Sequence, residues 1–176
     1  MNWIIRPIAA GEAAPLSKLI RRVMLEVNVR DYPYDYLAEY ARRYGPAQVE
    51  TLTAEGGTTY VVPFGGVLVG CGSVVPDPEH PGRAVIRAVY VSPDHQGEGM
   101  GRAIVETLEA DPVFLGAERV LVSASLTAHR FYERLGYRYV GGTPVCEDHD
   151  HYWMEKFPGK GFPAKGRLPL DAREKR

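Results

Sequence analysis

The hydrophobic positions of the chain change from a helical period to a strand period near residue 58, and the two periods alternate from there on. In residues 12–27, leucine, isoleucine and valine recur at every third or fourth position, which predicts an amphipathic helix. Residues 58–62 and 67–75 are rich in β-branched residues and flank Phe64-Gly65-Gly66, which predicts a β-hairpin. The other predicted elements are a first strand at 3–7, helices at 47–55, 99–110 and 126–135, and strands at 84–91, 119–123, 137–140 and 152–157. Mixed hairpins and crossovers predict an α/β fold, with a mixed sheet and helices on both faces.

The segment between the first helix and the hairpin is rich in tyrosine. It contains Tyr32, Tyr34, Tyr36, Tyr40 and Tyr44, interspersed with Asp31, Asp35 and Glu39. We expect Asp35 to cap a helix that has Leu37, Tyr40 and Tyr44 on one side. Clustered rings with nearby acids suit a cationic amine, through cation–π contact and charge attraction. The same rings could instead pack two short helices on the sheet, and the sequence leaves both interpretations open.

A glycine-rich turn stands between the strand at 84–91 and the helix at 99–110, with the sequence Gln96-Gly97-Glu98-Gly99-Met100-Gly101-Arg102. Glycines let backbone N–H groups approach an anion closely, and a helix start adds unpaired donors and the positive end of the helix dipole. The spacing is neither that of a dinucleotide-binding turn nor that of a phosphate loop with Gly-Lys-Ser/Thr. We interpret the turn as a pyrophosphate site, although a βα turn that binds nothing could have the same composition.

A second motif follows in Ala128-His129-Arg130-Phe131-Tyr132-Glu133-Arg134-Leu135-Gly136-Tyr137. The helical spacing of Ala124, Ala128, Phe131 and Leu135 predicts a buried stripe, and Gly136 is placed to end the helix. Tyr132 lies one helical step away from Phe131, so we expect it to face a cleft beside the core. A purely packing role for this tyrosine is the alternative.

Composition narrows the class of protein. The chain of 176 residues suits one well-buried domain, which we place at residues 1–157, followed by a basic tail at 158–176 that we expect to be mobile. A net charge of −1 argues against a general nucleic-acid binder. The two cysteines, Cys71 and Cys146, form neither a disulfide framework nor a zinc pattern. Because no signal peptide and no apolar run of about 20 residues is visible, we expect a cytoplasmic protein that does not contact membranes.

Taken together, the two motifs resemble those of the GNAT superfamily of acyl-CoA N-acyltransferases. The resemblance rests on Gln96-x-x-Gly99-x-Gly101-Arg102-Ala103, about thirty residues before Phe131-Tyr132-Glu133-Arg134-Leu135-Gly136-Tyr137, and on the final His151-Tyr152-Trp153-Met154-Glu155-Lys156. It extends over residues 4–157. It implies a mostly antiparallel sheet of six to seven strands, in which two parallel central strands, here at 88–91 and 120–123, splay apart.

The resemblance also implies an activity: transfer of an acetyl group from acetyl-CoA to a primary amine of a small molecule or peptide, by direct attack in a ternary complex. The coenzyme A pyrophosphate would lie on the turn and its pantetheine arm would pair with the strand before the turn, as in β-augmentation. A backbone N–H near Val89 would polarise the thioester carbonyl. The implied cofactor-binding residues are Val89, Tyr90, Val91, Gln96, Gly97, Glu98, Gly99, Met100, Gly101, Arg102, Ser125, Thr127 and Arg130. Tyr132 matches the tyrosine that often serves the superfamily as general acid, since a phenol can protonate a thiolate.

The sequence departs from the superfamily pattern at two points. Many members carry an asparagine just before the last helix, and Ser125 or Thr127 would take its place here as a partner of the pantetheine. Some members have a glutamate on the strand before the glycine turn, where this chain has Ile86-Arg87-Ala88-Val89. The general base is therefore open, and the candidates are Glu26, Asp31, Asp35 and Asp148.

Three further hypotheses are a metal site, a protein that binds acyl-CoA without turnover, and a homodimer. The run Glu147-Asp148-His149-Asp150-His151 has metal-binding side chains, but a polar loop before an edge strand explains it equally well. The chemistry implied above needs no metal, so we expect none. The missing acid and asparagine motivate a second hypothesis, a non-catalytic acyl-CoA sensor that acts through a protein partner. A homodimer formed by edge-strand pairing or exchange of the last strand stays open beside a monomer.

Overall fold

The computed structural model describes residues 3–54, 56–148 and 150–159, so most of the predicted tail lies outside the described residues. The helices are α1 (Ala13–Glu26), α2 (Tyr34–Arg43), α3 (Pro46–Ala54), α4 (Met100–Glu109), α5 (Pro112–Gly116) and α6 (His129–Arg134). The strands are β1 (Arg6–Pro7), β2 (Thr58–Phe64), β3 (Val67–Pro76), β4 (Arg83–Val91), β5 (Arg119–Ser125), β6 (Arg138–Tyr139), β7 (Cys146–Glu147) and β8 (His151–Lys156). None of these helices combines the length and hydrophobicity that a membrane span requires.

The strands form one sheet in the order β1-β2-β3-β4-β5-β8-β6, with β7 also paired to β8. The central pair β4–β5 is parallel and the other pairs are antiparallel. The predicted mixed, mostly antiparallel fold is therefore confirmed. The sheet has eight strands rather than six or seven, because the two-residue strand β7 joins it without any periodic pattern of its own.

Two local expectations are wrong, and one helix was not expected. Asp35 does not cap α2, because the helix begins one residue earlier and Pro33 is its cap position. The helix predicted at 126–135 begins only at His129, after a turn. The short helix α5 was not predicted, because residues 111–117 are too few to show a period; Asp111 caps it by accepting a hydrogen bond from Val113 N–H.

Helices cover both faces of the sheet, as predicted, and each face has its own hydrophobic cluster. The helices α4, α5 and α6 pack on one face, and α1, α2 and α3 on the other. On the first face, Ile104 and Leu108 are fully buried, as expected. A Cβ built on Gly72 of β3 would lie 2.7 Å from an Ile104 methyl group, and one on Gly70 would lie 2.7 Å from Met100 Sδ. The glycines of β3 thus let α4 approach the sheet closely, which fixes the position of its N-terminus.

A β-bulge interrupts β4 before its end. Arg87 is opposite Ser73 and Tyr90 is opposite Cys71, so the single residue Gly72 faces the two residues Ala88 and Val89. Ala88 has a φ of +51°, a conformation that is unusual for a residue with a side chain. The bulge turns Tyr90 toward the face that carries Cys71 and α1.

A buried ion pair holds β5 to β8. Arg119 Nε lies 2.8 Å from Glu155 Oε2, and both side chains are almost completely buried. Buried pairs of this kind are expensive to break, because one partner is left charged and unpaired. The pair therefore anchors β5 below the point where it separates from β4.

Candidate active site

The helix α4 begins directly at the glycine turn. Gly97 and Gly99 have φ values of +81° and +82°, which favour glycine, and Gly99 is the cap residue of the helix. No side chain caps this end and no acidic residue lies in the first turn. Its leading N–H donors are consequently available to an anion. Gln96 Nε2 donates to the Val91 carbonyl at 3.3 Å, which ties the turn to the end of β4.

Next to this turn lies a cleft of about 410 Å³, which we call the glycine-turn cleft. Its lining residues are Val23, Val27, Asn28, Val89, Tyr90, Val91, His95, Gln96, Gly97, Gly99, Met100, Gly101, Arg102, Ser125, Thr127, Ala128, Phe131, Tyr132 and Arg134. The fold brings together twelve of the predicted site residues here: Val89, Tyr90, Val91, Gln96, Gly97, Gly99, Met100, Gly101, Arg102, Ser125, Thr127 and Tyr132.

Two predicted residues do not line the glycine-turn cleft. Glu98 lies on the outer side of the turn, with Oε2 at 3.4 Å from His95 Nδ1. Arg130 is exposed and donates to Glu133 at 2.8 Å. Arg134, one turn further along α6, lines the cleft instead. Arg130 and Arg134 are four residues apart and share one face of α6, and they differ in that Arg130 is held by its ion pair with Glu133.

The two parallel strands separate beside the cleft. Their pairing runs from Arg83 and Arg119 to Ile86 and Val122, and it stops there. The splay thus begins later on β5 than predicted, since Val120 and Val122 are still paired. Beyond that point the facing edges of β4 and β5 have backbone groups that do not pair with each other, and an extended ligand can add to such an edge.

The Tyr132 side chain is buried in the protein and also lines the glycine-turn cleft. It is 4% exposed, and its ring makes edge-on contacts with Phe131 at 5.2 Å and Tyr137 at 5.5 Å between centroids. The hydroxyl makes no hydrogen bond with another described residue, and burial raises the pKa of Tyr132. The order of burial is thus the reverse of the one predicted: Phe131, which was expected in the buried stripe, is only half-buried, and Tyr132 is buried. The phenol therefore stays protonated near neutral pH, in a residue that lines the cleft.

The tyrosines of the segment before the hairpin form a ladder. Successive ring centroids from Tyr32 through Tyr36 and Tyr40 to Tyr44 lie 5.9, 6.3 and 5.8 Å apart, and Tyr44 contacts Tyr90 at 6.5 Å. In α2 it is Leu37 and Ala41 that are buried against α1, whereas Tyr36 and Tyr40 are 43% and 41% exposed. The rings therefore do not serve mainly as core packing, and the expectation that Tyr40 shares the buried side with Leu37 is wrong.

The ladder forms one wall of a smaller chamber of about 140 Å³, the tyrosine recess. Its lining residues are Met24, Asn28, Tyr32, Tyr36, Leu37, Tyr40, Tyr90, Ser123, Ser125, Asp150 and His151. Asn28, Tyr90 and Ser125 line the recess and the glycine-turn cleft alike. On the far side of Tyr90, a groove of about 390 Å³ continues past Tyr40, Tyr44 and Trp153. The two chambers and the groove thus meet at Tyr90, where β4 and β5 have separated.

The four acids expected as candidate bases line neither chamber. Glu26 is exposed and accepts from Arg22 at 3.0 Å, and Asp31 accepts from Thr127 Oγ1 at 2.8 Å. Asp35 is exposed on α2, and Asp148 lies in a turn with a φ of +49°. The carboxylate that does line the tyrosine recess is Asp150, next to His151. Sequence reasoning considered these two residues only as metal ligands, because their approach to the ladder depends on tertiary contacts.

The residues that replace the expected asparagine are both placed at the site. Thr127 donates to Asp31, as above, and Ser125 lies near the Tyr32 hydroxyl. The Tyr32 hydroxyl accepts from Leu126 N–H at 2.8 Å, and burial raises the pKa of Tyr32 to about 12. These bonds fix the strand-to-helix turn that separates the two chambers.

No cluster of three or more metal-binding side chains is present within residues 3–54, 56–148 and 150–159. His149, which was part of the metal interpretation, lies outside these residues. Cys71 is fully buried in β3 and donates to the Ala88 carbonyl, and burial raises the pKa of Cys71 to about 12. Cys71 thus behaves as a small core residue, in agreement with its position in the predicted strand.

Comparison with known proteins shows which family and which solved structures the chain resembles. Residues 21–137 match the family model described as Acetyltransferase (GNAT) family. A search of curated proteins found no significant match. Solved structures share the fold at low sequence identity.

One is a GCN5-related N-acetyltransferase from Rhodopseudomonas palustris, with a TM-score of 0.72 and 22% identity over 89% of this chain and 96% of that chain. A second is the PaiA N-acetyltransferase from Thermoplasma acidophilum in complex with coenzyme A, with a TM-score of 0.73 and 14% identity over 89% and 99%. A third is an aminoglycoside 6'-acetyltransferase type Ii, with a TM-score of 0.68 and 20% identity over 88% and 96%.

Proposed function

The chain belongs to the acetyltransferase (GNAT) family, whose model matches residues 21–137, and on that basis we propose that it transfers an acetyl group from acetyl-CoA to a primary amine. The observation that carries the proposal is the meeting of two chambers at Tyr90 and Ser125. One has an open helix N-terminus and open strand edges, and the other has a tyrosine wall with a carboxylate. Tyr132 lies on the first chamber near this junction. We assign the activity to the domain formed by residues 1–157.

The glycine-turn cleft fits an acyl-CoA by the chemistry of its donors. The uncapped N–H groups at the start of α4 suit a pyrophosphate, with Arg134 adding positive charge. The free edge of β4 at Val89–Val91 suits the amide groups of the pantetheine arm. When bound, acetyl-CoA supplies the acetyl group as an activated thioester.

Tyr132 is the proposed general acid. Burial keeps the phenol neutral, so that it is ready to donate a hydrogen bond. Because its pKa is raised above that of a thiol, the phenol stabilises the developing thiolate and passes on a proton only as another one replaces it. This other proton comes from the attacking nitrogen, which must lose one when it becomes an amide. Tyr132 thus links the two proton movements of the reaction.

The tyrosine recess and the groove beyond Tyr90 are the proposed acceptor site. Their aromatic rings and the Asp150 carboxylate suit a protonated amine that arrives as a cation. The recess of about 140 Å³ has room for the reacting end of the acceptor, and the larger groove has room for the rest. A small polyamine, an aminoglycoside or a peptide N-terminus meets this description, and the similar aminoglycoside acetyltransferase acts on one of these classes.

Calorimetry and a thiol-release assay test the proposal. We expect acetyl-CoA to bind with micromolar affinity, and coenzyme A to appear only when a suitable amine is added. The panel should contain an alkyl diamine, an aminoglycoside, a free amino acid and a peptide with an unblocked N-terminus. Mass spectrometry of the product would identify the acetylated nitrogen. Absence of any binding of acetyl-CoA at high protein concentration would contradict the proposal.

A non-catalytic acyl-CoA sensor is the second candidate. It is supported by the lack of an acidic residue on β4 between Ile86 and Val89, where some superfamily members have a base. A sensor would bind acetyl-CoA in the calorimeter and yet acetylate no amine of the panel. The two hypotheses therefore differ in turnover and agree in binding.

A further inference from the structure

The recess contains an aspartate, Asp150, that is held by two contacts to its carboxylate and one to its backbone carbonyl. Tyr36 donates its hydroxyl to Asp150 Oδ2 at 2.8 Å, and Tyr32 donates its hydroxyl to the Asp150 carbonyl. The other carboxylate oxygen, Oδ1, contacts His151 Nδ1. Both oxygens of Asp150 are thus engaged, so this carboxylate is not itself free to take a proton from a substrate.

The contact with Asp150 determines the state of the His151 ring. A carboxylate beside Nδ1 favours the tautomer with the proton on Nδ1, which leaves the lone pair on Nε2. Within the described part of the chain, no residue hydrogen-bonds to Nε2. The edge-on packing of His151 against Trp153, with centroids 5.5 Å apart, restrains the ring further. The result is an oriented imidazole with one open basic nitrogen.

His151 is placed next to the junction of the two chambers. It lies directly opposite Ser125 in the register of β5 and β8, and Ser125 lines both the tyrosine recess and the glycine-turn cleft. An amine in the recess that reaches toward a thioester in the cleft passes the residues that line both chambers, of which Ser125 is one. We infer that His151, oriented by Asp150, is the base that takes the proton from the acceptor ammonium. This inference rests on the function proposed above.

The proton balance of the step is complete with these residues. The ammonium of the acceptor gives one proton to His151 Nε2 and becomes a free amine. As that amine attacks, the C–N bond forms and the C–S bond breaks. The nitrogen loses its surplus proton through the Tyr132 hydroxyl to the departing sulfur. The imidazolium of His151 then releases its proton to water, and the reaction yields an amide, a thiol and one proton.

Several other titratable groups surround His151 and belong to any account of its pH dependence. They are Asp150, Glu147 and Cys146 of β7, Tyr32, Tyr36 and Tyr40 around the recess, and Tyr90 of β4. Burial raises the pKa values of Tyr32, Tyr36 and Tyr90, so these phenols are neutral below pH 9. The carboxylates Asp150 and Glu147 therefore supply the nearby negative charge.

The test compares His151→Gln with His129→Gln. The control replaces a histidine that is also half-buried and hydrogen-bonded at Nδ1, to the Tyr139 hydroxyl at 2.8 Å, but that lies outside both chambers. The readout is kcat/KM for the most rapidly acetylated amine of the panel, between pH 6.5 and 9.5, together with calorimetry of acetyl-CoA binding.

We expect His151→Gln to lose about 100-fold in kcat/KM at pH 7 with unchanged acetyl-CoA affinity. The deficit should shrink by about tenfold per pH unit, because the free fraction of an amine with a pKa near 10 rises at that rate. The control should keep the wild-type profile. A deficit that is equal at all pH values, or no deficit, would overturn the inference.

A second measurement requires neither acyl donor nor amine. Ring ¹⁵N spectra of the histidines at pH 8 should show His151 with its proton on Nδ1, and Asp150→Asn should move the proton toward Nε2. A wild-type ring with its proton on Nε2 would overturn the inference even if both variants fold poorly. If the wild-type protein binds no acetyl-CoA or acetylates no amine, the proposed function itself has failed. If it is active and His151→Gln has an unchanged pH profile, this inference alone has failed.

Discussion

The glycine-turn cleft and the tyrosine recess are built in different ways. The cleft depends mainly on the backbone: a helix start with unpaired N–H groups, two glycines with positive φ and two strand edges that have moved apart. The recess depends on side chains from distant parts of the chain, since Tyr36 and Asp150 are 114 residues apart in sequence. A site made of backbone groups can be kept while the sequence changes, so it suits a ligand that is the same in all relatives. A site made of side chains changes with the sequence, so it can differ from one acceptor to another.

Tyr132→Phe should have the largest effect, because Tyr132 is the proposed general acid. We expect kcat to fall by about 100-fold to 1000-fold, while the affinity for acetyl-CoA stays within a factor of two. Steady-state kinetics and calorimetry would measure the two quantities. Tyr139→Phe, which removes a hydroxyl bonded to His129 outside both chambers, is the control. An equal loss of rate and affinity would make Tyr132 a packing residue.

Gly99→Ala should separate the backbone site from general stability. Gly99 and Gly66 have nearly identical φ values, +82° and +81°, and a Cβ on either would meet no atom within 4 Å. Each change to alanine should cost about 1 kcal/mol of unfolding free energy, measured by urea denaturation. Only Gly99→Ala should also weaken acetyl-CoA binding, by about tenfold, because it moves the N–H groups at the start of α4. Equal affinities in the two variants would count against the turn as the pyrophosphate site.

Tyr40→Ala should affect the proposed acceptor site alone, since Tyr40 lines both the tyrosine recess and the groove beyond Tyr90. Loss of an exposed ring next to a cationic acceptor corresponds to about 0.5–1 kcal/mol, or about a threefold fall in kcat/KM for the amine. The acetyl-CoA affinity should not change. Tyr34→Ala is the matched control, since Tyr34 is 59% exposed on the same helix and lines neither chamber. If both variants behave alike, the ladder has no part in acceptor binding.

The smallest effect distinguishes two arginines of α6. Arg134 lines the glycine-turn cleft, whereas Arg130, which sequence reasoning assigned to the cofactor, pairs with Glu133. We expect Arg134→Gln to weaken acetyl-CoA binding by about twofold to threefold at low salt, and Arg130→Gln to leave it unchanged. The reverse result would favour the original sequence assignment.

The same contrast explains how far the sequence could predict the molecule. The glycine turn, the helix after it and the position of Tyr132 beside a cleft follow from short-range spacing, whereas the other cleft residues were predicted through the resemblance to the GNAT superfamily. Most strands and helices could be predicted from the period of their hydrophobic residues. The exceptions are the two-residue strand β7 and the short helix α5. These elements are too short to have a period, so only tertiary contacts define them.

The recess could not be predicted in this way. Asp150 lies in a turn and His151 begins β8, which is paired on both sides rather than being the predicted edge strand, and their sequence neighbours give no sign of the ladder that contacts them. The ladder itself has a signal that was not used: Tyr32, Tyr36, Tyr40 and Tyr44 are spaced four apart, which places them on one stripe of a helix. The sequence shows this stripe, but it does not show which loop the stripe faces.

The bulge at Ala88 determines which side of the sheet each later residue of β4 occupies. Along an unbroken strand the side chains alternate, so regular pairing of the same sequence, with no bulge, would place Val89 opposite Cys71 and turn Tyr90 toward α4. The odd insertion reverses this parity, and Tyr90 reaches the ladder while Val89 and Val91 pack toward α4. Deleting Ala88 would straighten the strand and still leave Tyr90 opposite Cys71, because a single residue would then face Gly72.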